Sequence, residues 1–204
     1  RQMCIRDRLI LASQSPSRRM LLEQAGVTPV LAPANIDEDA LIASLEQTGA
    51  PPGEVVAHLA RAKAETAAPE HPHDVVIGCD SMLLLGDELL GKPHTVEATV
   101  ARWKAQRGRT AQLLTGHAVG YSGEWVEETV STSITFGDVS DADIEAYARS
   151  GQPLQCAGAF TLEGLGSWFM DGIEGDPTSV IGLSMPLLRR ALYRFGLDVS
   201  VFWG

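Results

Sequence analysis

Four side chains capable of phosphate chemistry sit on one strand-to-helix corner. In "LASQSPSRRMLLEQAGV" (11–27) an apolar run leads into Ser13, Ser15, Arg18 and Arg19, and an apolar pattern then resumes at helical spacing. A helix start presents unpaired backbone N–H groups and partial positive charge, to which serine hydroxyls and arginine forks add further donors. Together they make a phosphate cradle without a glycine-rich loop. The same corner also reads as a serine cap followed by two solvated arginines.

A second group of candidates is scattered along the chain. Asp80 ends the apolar run "VVIGCD" (75–80), where a rigidly held, partly desolvated carboxylate suits a general base or a metal ligand. Hydrogen bonding to the following turn would explain it equally. Lys63 falls on the apolar face of a predicted helix, so it either snorkels or points into a cleft. Lys92, in "LGKP" (90–93), either reaches the same cleft or is a solvated turn residue. Glu38, within "IDED" (36–39), is a second carboxylate for a divalent cation or part of an ordinary acidic loop. Asp37 resembles an aspartate nucleophile, although "PAN" (33–35) makes a poor strand end before it. "HPH" (71–73) has no third ligand near it, His58 and His117 read as structural, and Cys79 reads as a small core residue. No G-x-S-x-G, H-E-x-x-H or G-x-G-x-x-G pattern points to another enzyme class.

The elements that must position these residues follow from periodicity. A buried strand is predicted over 9–13 and a helix from Pro16 to a stop at Gly26. A short strand is expected at 28–33, then an acidic loop over 35–44 running into apolar residues. A helix is predicted over 53–68. Residues 74–93 read as a strand and hairpin turning at "GDE", 95–107 as a helix, and 110–137 as two long antiparallel strands joined near "SGE". Ser140 caps a helix to Ser150, "SWFMDGI" (167–173) reads as a strand, and "LSMPLLRRALYRFG" (183–196) as the last helix. Helices alternating with strands, interrupted by a long hairpin, predict an α/β fold with a mixed sheet.

Composition narrows the function classes. The chain has 204 residues, enough for one domain or two tightly joined lobes. Sixteen basic and 26 acidic side chains leave a net charge of −10, which disfavours polymeric nucleic acid but leaves room for a local basic pocket around a small phosphorylated ligand. No apolar run is long enough to predict a membrane span. Three cysteines without a C-x-x-C pair predict no disulfide framework and a reducing, cytoplasmic location. The first eight residues, "RQMCIRDR", carry no useful periodicity and read as a leader outside a domain of 9–204.

In order and wording, "LILASQSPSRRMLLEQAGV", "DED", "ARAKAE", "VIGCDSMLLLGDELLGKP", "GRTAQLLTGHAV" and "DIEAYARSGQPLQCAGAFTLEGLGSWFMDGIEGDPTSVIGLSMPLL" resemble the Maf family, most of all its actinobacterial branch. The likeness runs from about residue 9 to 195. It implies a two-lobed α/β fold with a central cleft, similar to inosine triphosphate pyrophosphatases. It implies a cytoplasmic hydrolase, dependent on Mg²⁺ or Mn²⁺, that cuts nucleoside triphosphates between the α- and β-phosphates. By the same resemblance Asp80 is the proton acceptor that activates water, and Ser13, Ser15 and Arg18 contact phosphate. Glu38 is needed for activity near the metal, Lys63 and Lys92 line the cleft, and Ser17, Ser81 and Glu163 stand where base selectivity is set.

All three differ from the branch preferring dTTP and UTP, whereas the branch preferring 7-methyl-GTP shares Glu163 but not Ser17 and Ser81, so the base is unassigned; the expected substrates are non-canonical or modified nucleotides. A homodimer is allowed; neither a membrane nor a polymeric nucleic acid is expected as partner. Two other readings remain: a nucleotide-binding regulator of cell division with little turnover, and a phosphomonoesterase using Asp37.

Overall fold

The computed structural model describes residues 8–204. Residues 1–7 of the expected leader lie outside them. Arg8 is part of the fold: its carbonyl accepts from the Val75 N–H at 3.0 Å, and its guanidinium grips Asp74 through bonds of 3.1 and 2.7 Å.

Among the described residues seven strands form a mixed sheet in the order β2-β1-β3-β5-β6-β7, with β4 paired to β3. β1 (Leu9–Leu11) runs parallel to both β2 (Val30–Leu31) and β3 (Val75–Leu85). β4 (Glu88–Leu90) folds back antiparallel on β3, as the "GDE" turn predicts. β5 (Thr110–Tyr121) and β6 (Glu124–Phe136) are the expected long pair. Their two-residue turn places both Ser122 and Gly123 at positive φ, 50° and 84°, which suits the right-handed twist of a tight hairpin. β7 (Met170–Glu174) is antiparallel to β6, and "GLGSW" ahead of it is 3-10 turn rather than strand.

The chain divides into two compact units. Of the described residues, the first takes in those up to Asp80, Gly116–Thr129 and Gly182–Gly204. Its core joins Ile10 of β1, Ala12 just after it, Val76 of β3 and Ala118 of β5 to Ala60, Ala64 and Ala67 of α3 (Pro52–Ala67). The second comprises Ser81–Thr115 and Val130–Ile181. It is built around Trp103 of α4 (Val96–Gln106), which is fully buried and stacks edge-on against Phe136, Tyr147 and Phe169. The Trp103 indole N–H donates to the Ala159 carbonyl at 2.7 Å, so the ring's polar edge is also satisfied. α5 (Asp141–Arg149) packs beside α4 and starts at the expected Ser140 cap.

A further expectation changes. Residues 35–44 read as an acidic loop, whereas Glu38–Gln47 is a helix, α2. The Asp37 carboxylate accepts from the Ala40 N–H at 3.0 Å, and Glu38 and Asp39 occupy the first turn. Acidic residues at that end complement the helix dipole, so the acidic run is a helix start. A short α6 (Pro177–Ile181) precedes α7 (Met185–Arg194). Among the described residues no helix is long and apolar enough to cross a membrane.

Candidate active site

The first unit assembles most of the predicted site. Ser15 caps α1 (Pro16–Gln24), accepting from the Arg18 N–H, and Pro16 takes the first turn, where its missing N–H costs nothing. Ser13 follows β1, and its hydroxyl oxygen accepts from the Ser15 N–H at 3.1 Å and from the Arg18 guanidinium at 3.2 Å. A hydroxyl that accepts still carries one hydrogen to donate. Arg18 is buried, and its Nε donates to the Gly182 carbonyl at 2.7 Å. Arg19 is the solvated arginine of the pair, bonded to Glu23 on the exposed face. Ser17 lies half-buried in the first turn of α1.

Asp80 is buried on β3 and faces α3. Lys63, on that helix, donates to Asp80 Oδ1 at 2.6 Å and lies 3.1 Å from Glu38 Oε1. Lys63 does not snorkel: it turns inward and joins two carboxylates from two other elements. Burial pushes the Asp80 carboxyl above the usual aspartate range, against the pull of the Lys63 and Arg18 charges, and Glu38 pushes the same way as burial. Cys79 is fully buried, its thiol raised to about 11 chiefly by burial. It therefore stays protonated as a core residue. Asp37 is exposed and committed to capping α2, which removes the support for a phosphomonoesterase nucleophile.

Ser81, Lys92 and Glu163 belong to the second unit. Ser81 follows Asp80 on β3 and takes the opposite face of the strand. Its hydroxyl pairs with that of Thr115 at 2.9 Å, and Thr115 in turn donates to the Ser179 carbonyl at 3.1 Å. Lys92 is exposed, and Glu163 half-buried. They share an environment around Cys156: burial is the main reason its thiol is raised, Glu163 raises it further and Lys92 lowers it. The peptide before Lys92 is clamped, with the Gly91 carbonyl accepting from Arg102 and from the Gly158 N–H.

Glycines are the site residues that motif reading missed. A β-carbon on Gly78 would meet the backbone of α3, and one on Gly116 would meet α3 nearer its start. The signal was present, since an isolated glycine inside a strand marks close backbone approach.

The expected divalent cation has a fitting but partial donor set. Among the described residues no group of three or more His, Cys, Asp or Glu side chains could hold a metal ion alone. Glu38 and Asp80 are hard oxygen donors that already gather round one cation, the Lys63 ammonium. Carboxylates of this kind suit Mg²⁺ or Mn²⁺ that completes its coordination with substrate phosphate oxygens and water.

The family model described as "Maf-like protein" matches residues 8–195, and the chain belongs to that family. It is 66% identical over 195 residues to a nucleoside triphosphate pyrophosphatase of Corynebacterium efficiens, an alignment covering 96% of this chain and 98% of that one. A protein of the same name from Corynebacterium glutamicum is 60% identical over 195 residues, covering 96% and 98% of the two chains. Another from Nocardia farcinica is 51% identical over 204 residues, covering 96% of each. The actinobacterial leaning of the motifs agrees with these relatives.

Proposed function

We propose that this protein is a nucleoside triphosphate pyrophosphatase, converting a nucleoside triphosphate and water to the monophosphate and pyrophosphate. The observation that carries the reading is the buried Lys63–Asp80 pair in the same unit as the Ser13–Ser15–Arg18 corner: a base and a phosphate grip, supplied by separate elements of one core. The name of these relatives supports the same reaction.

Asp80 accepts a proton from water as the water oxygen attacks the α-phosphorus. The bond from that phosphorus to the bridging oxygen breaks, and pyrophosphate leaves. Lys63 holds one carboxylate oxygen, fixing the base and keeping it ionised against the cost of burial. A raised carboxyl suits the task, because a base works best with a pKa near the working pH. Arg18 and the Ser13 and Ser15 hydroxyls bind phosphate oxygens with charge-assisted and neutral hydrogen bonds. Glu38 would hold the divalent cation, which when bound neutralises charge on the triphosphate and the leaving pyrophosphate.

The substrates are non-canonical or modified nucleotides, with Ser17, Ser81 and Glu163 setting base preference, and the protein works in the cytoplasm. The test is a panel of canonical and modified triphosphates with Mg²⁺ or Mn²⁺, scored separately for pyrophosphate and inorganic phosphate. Stoichiometric pyrophosphate is expected. Binding without turnover would favour a nucleotide-binding regulator, and phosphate alone would favour a phosphomonoesterase.

A further inference from the structure

Arg18 is oriented from two sides, and one of them leads to a histidine that the reaction does not use. Its Nε donates to the Gly182 carbonyl at 2.7 Å, while a terminal nitrogen donates to the Ser13 hydroxyl. Gly182 has a φ of 133°, and a β-carbon there would stand 3.0 Å from Arg18 Nε and 3.1 Å from its Cγ. Bare backbone is what meets the guanidinium. Two residues on, Ser184 caps α7, its hydroxyl accepting from the Leu187 N–H at 3.2 Å. The Ser184 N–H donates at 2.8 Å to Nε2 of His117. His117 is wholly buried on β5, on the face opposite Gly116 and Ala118.

The segment from Gly182 to Ser184 is thus a strut, with Arg18 bonded at one end and His117 at the other. Leu183 between them is fully buried, which leaves the strut little room to slide. An apolar side chain in place of His117 would fill the core, but it would leave the Ser184 N–H without that acceptor. A buried donor so stripped is costly, and the chain shifts to find another partner. The Gly182 carbonyl would shift with it, and forked contacts to phosphate depend on the plane of the guanidinium.

We propose that His117 is a positioning residue for phosphate binding, acting on Arg18 through the Gly182–Ser184 strut. The proposal rests on the reading of Arg18 as a phosphate ligand. The imidazole serves as a hydrogen-bond acceptor through an unprotonated Nε2 and touches no substrate.

The experiment is a double-mutant cycle on the full chain. Arg18→Ala, His117→Leu, the double variant and His117→Gln are compared for KM and kcat with a triphosphate substrate, for affinity to inorganic pyrophosphate, and for melting temperature. His117→Leu is expected to raise KM and weaken pyrophosphate binding by roughly three- to tenfold, the size of coupling seen between groups in one network. The double variant should match Arg18→Ala in both quantities, whatever its melting temperature. His117→Gln places an amide oxygen near the position of Nε2 and should retain most of the affinity. A His117→Leu penalty of equal size with and without Arg18 would overturn the proposal, leaving His117 a core residue only. An Arg18→Ala variant with unchanged KM and pyrophosphate affinity would overturn the phosphate reading, and the role of His117 with it. If His117→Leu does not fold, His117→Gln is set against His117→Asn, whose carbonyl falls short of Nε2. Affinity kept by Gln and lost by Asn supports the strut; equal affinity in the two variants overturns it.

Discussion

A β-carbon on Gly78 would lie 2.1 Å from the carbonyl oxygen of Ala60, so α3 rests backbone against backbone on β3 at that point. Asp80 lies two residues along the same face of the strand, and Lys63 about one turn along the helix. The close approach at Gly78 brings the Lys63 ammonium within 2.6 Å of the Asp80 carboxylate. Gly78→Ala should force the helix away from the strand, destabilising the protein by about 1–3 kcal/mol and lowering kcat by roughly a hundredfold. Gly116→Ala is the matched control. A β-carbon there would meet Val56, two turns from Lys63, at 2.2 Å. It should destabilise similarly with a much smaller loss of kcat. Equal losses of kcat from the two variants would mean that Gly78 affects only stability.

Asp80→Asn should cost about a hundredfold or more in kcat, as for loss of a general base, and change how stability depends on pH. The sign follows from linkage. Burial raises the Asp80 carboxyl in the folded protein, so the protonated form is favoured there, and stability falls as pH rises through the folded pKa. Asparagine does not titrate, so the variant lacks this fall. Melting temperatures across pH should show the variant gaining on the parent from the ordinary aspartate range towards neutral and alkaline pH. In the parent, kcat/KM should begin to fall with acidification at a higher pH than an exposed aspartate would give. A difference between variant and parent that does not change with pH would contradict the burial argument.

Arg8 and Asp74 provide the opposite sign. The Arg8 hydrogen bond holds the Asp74 carboxyl below its usual range, so the pair stabilises the fold above that range and is lost as pH falls through the lowered pKa. Arg8→Ala should lower the melting temperature slightly at neutral pH, with no difference remaining in strong acid. The effect is small because the Arg8 side chain is half exposed. A difference that persists in acid would assign it to packing instead.

Much of this site is legible in the chain because its signals are local. The S-x-S-P-x-R corner forms its own hydrogen bonds within five residues, and Lys63 is marked by standing on a face otherwise made of Val55, Val56, Leu59, Ala60 and Ala64. Asp80 is marked by ending an apolar run. The Gly182 carbonyl and His117 leave no such mark, since their partners lie 164 and 67 residues away in sequence and a backbone acceptor has no side chain to notice. The α2 helix was hidden for another reason: acidic residues suit loops and helix starts alike, and only the Asp37 cap distinguishes them. The 3-10 turns of 164–169 show how a strand-like composition yields when glycines interrupt it.

Glu163 should bias base choice. A carboxylate accepts from the N1–H and 2-amino groups of guanine and favours the positive charge of an N7-methylated ring, whereas it repels the carbonyls that flank the single N–H of uracil and thymine. Purine triphosphates, methylated guanine included, should therefore be preferred to UTP and dTTP. Glu163→Gln should move the ratio of kcat/KM values toward the pyrimidines. A parent that already prefers UTP, or a ratio that stays fixed in the variant, would remove Glu163 from the base pocket.

The measurement closest to the central claim is turnover of a triphosphate in water labelled with the heavy oxygen isotope, with the products separated and weighed. Attack at the α-phosphorus, with Asp80 taking the proton, predicts that the label enters the nucleoside monophosphate, that pyrophosphate is unlabelled, and that Asp80→Asn forms neither at an appreciable rate. Label in pyrophosphate or in inorganic phosphate, or labelled monophosphate formed at the parent's rate by Asp80→Asn, would contradict the account.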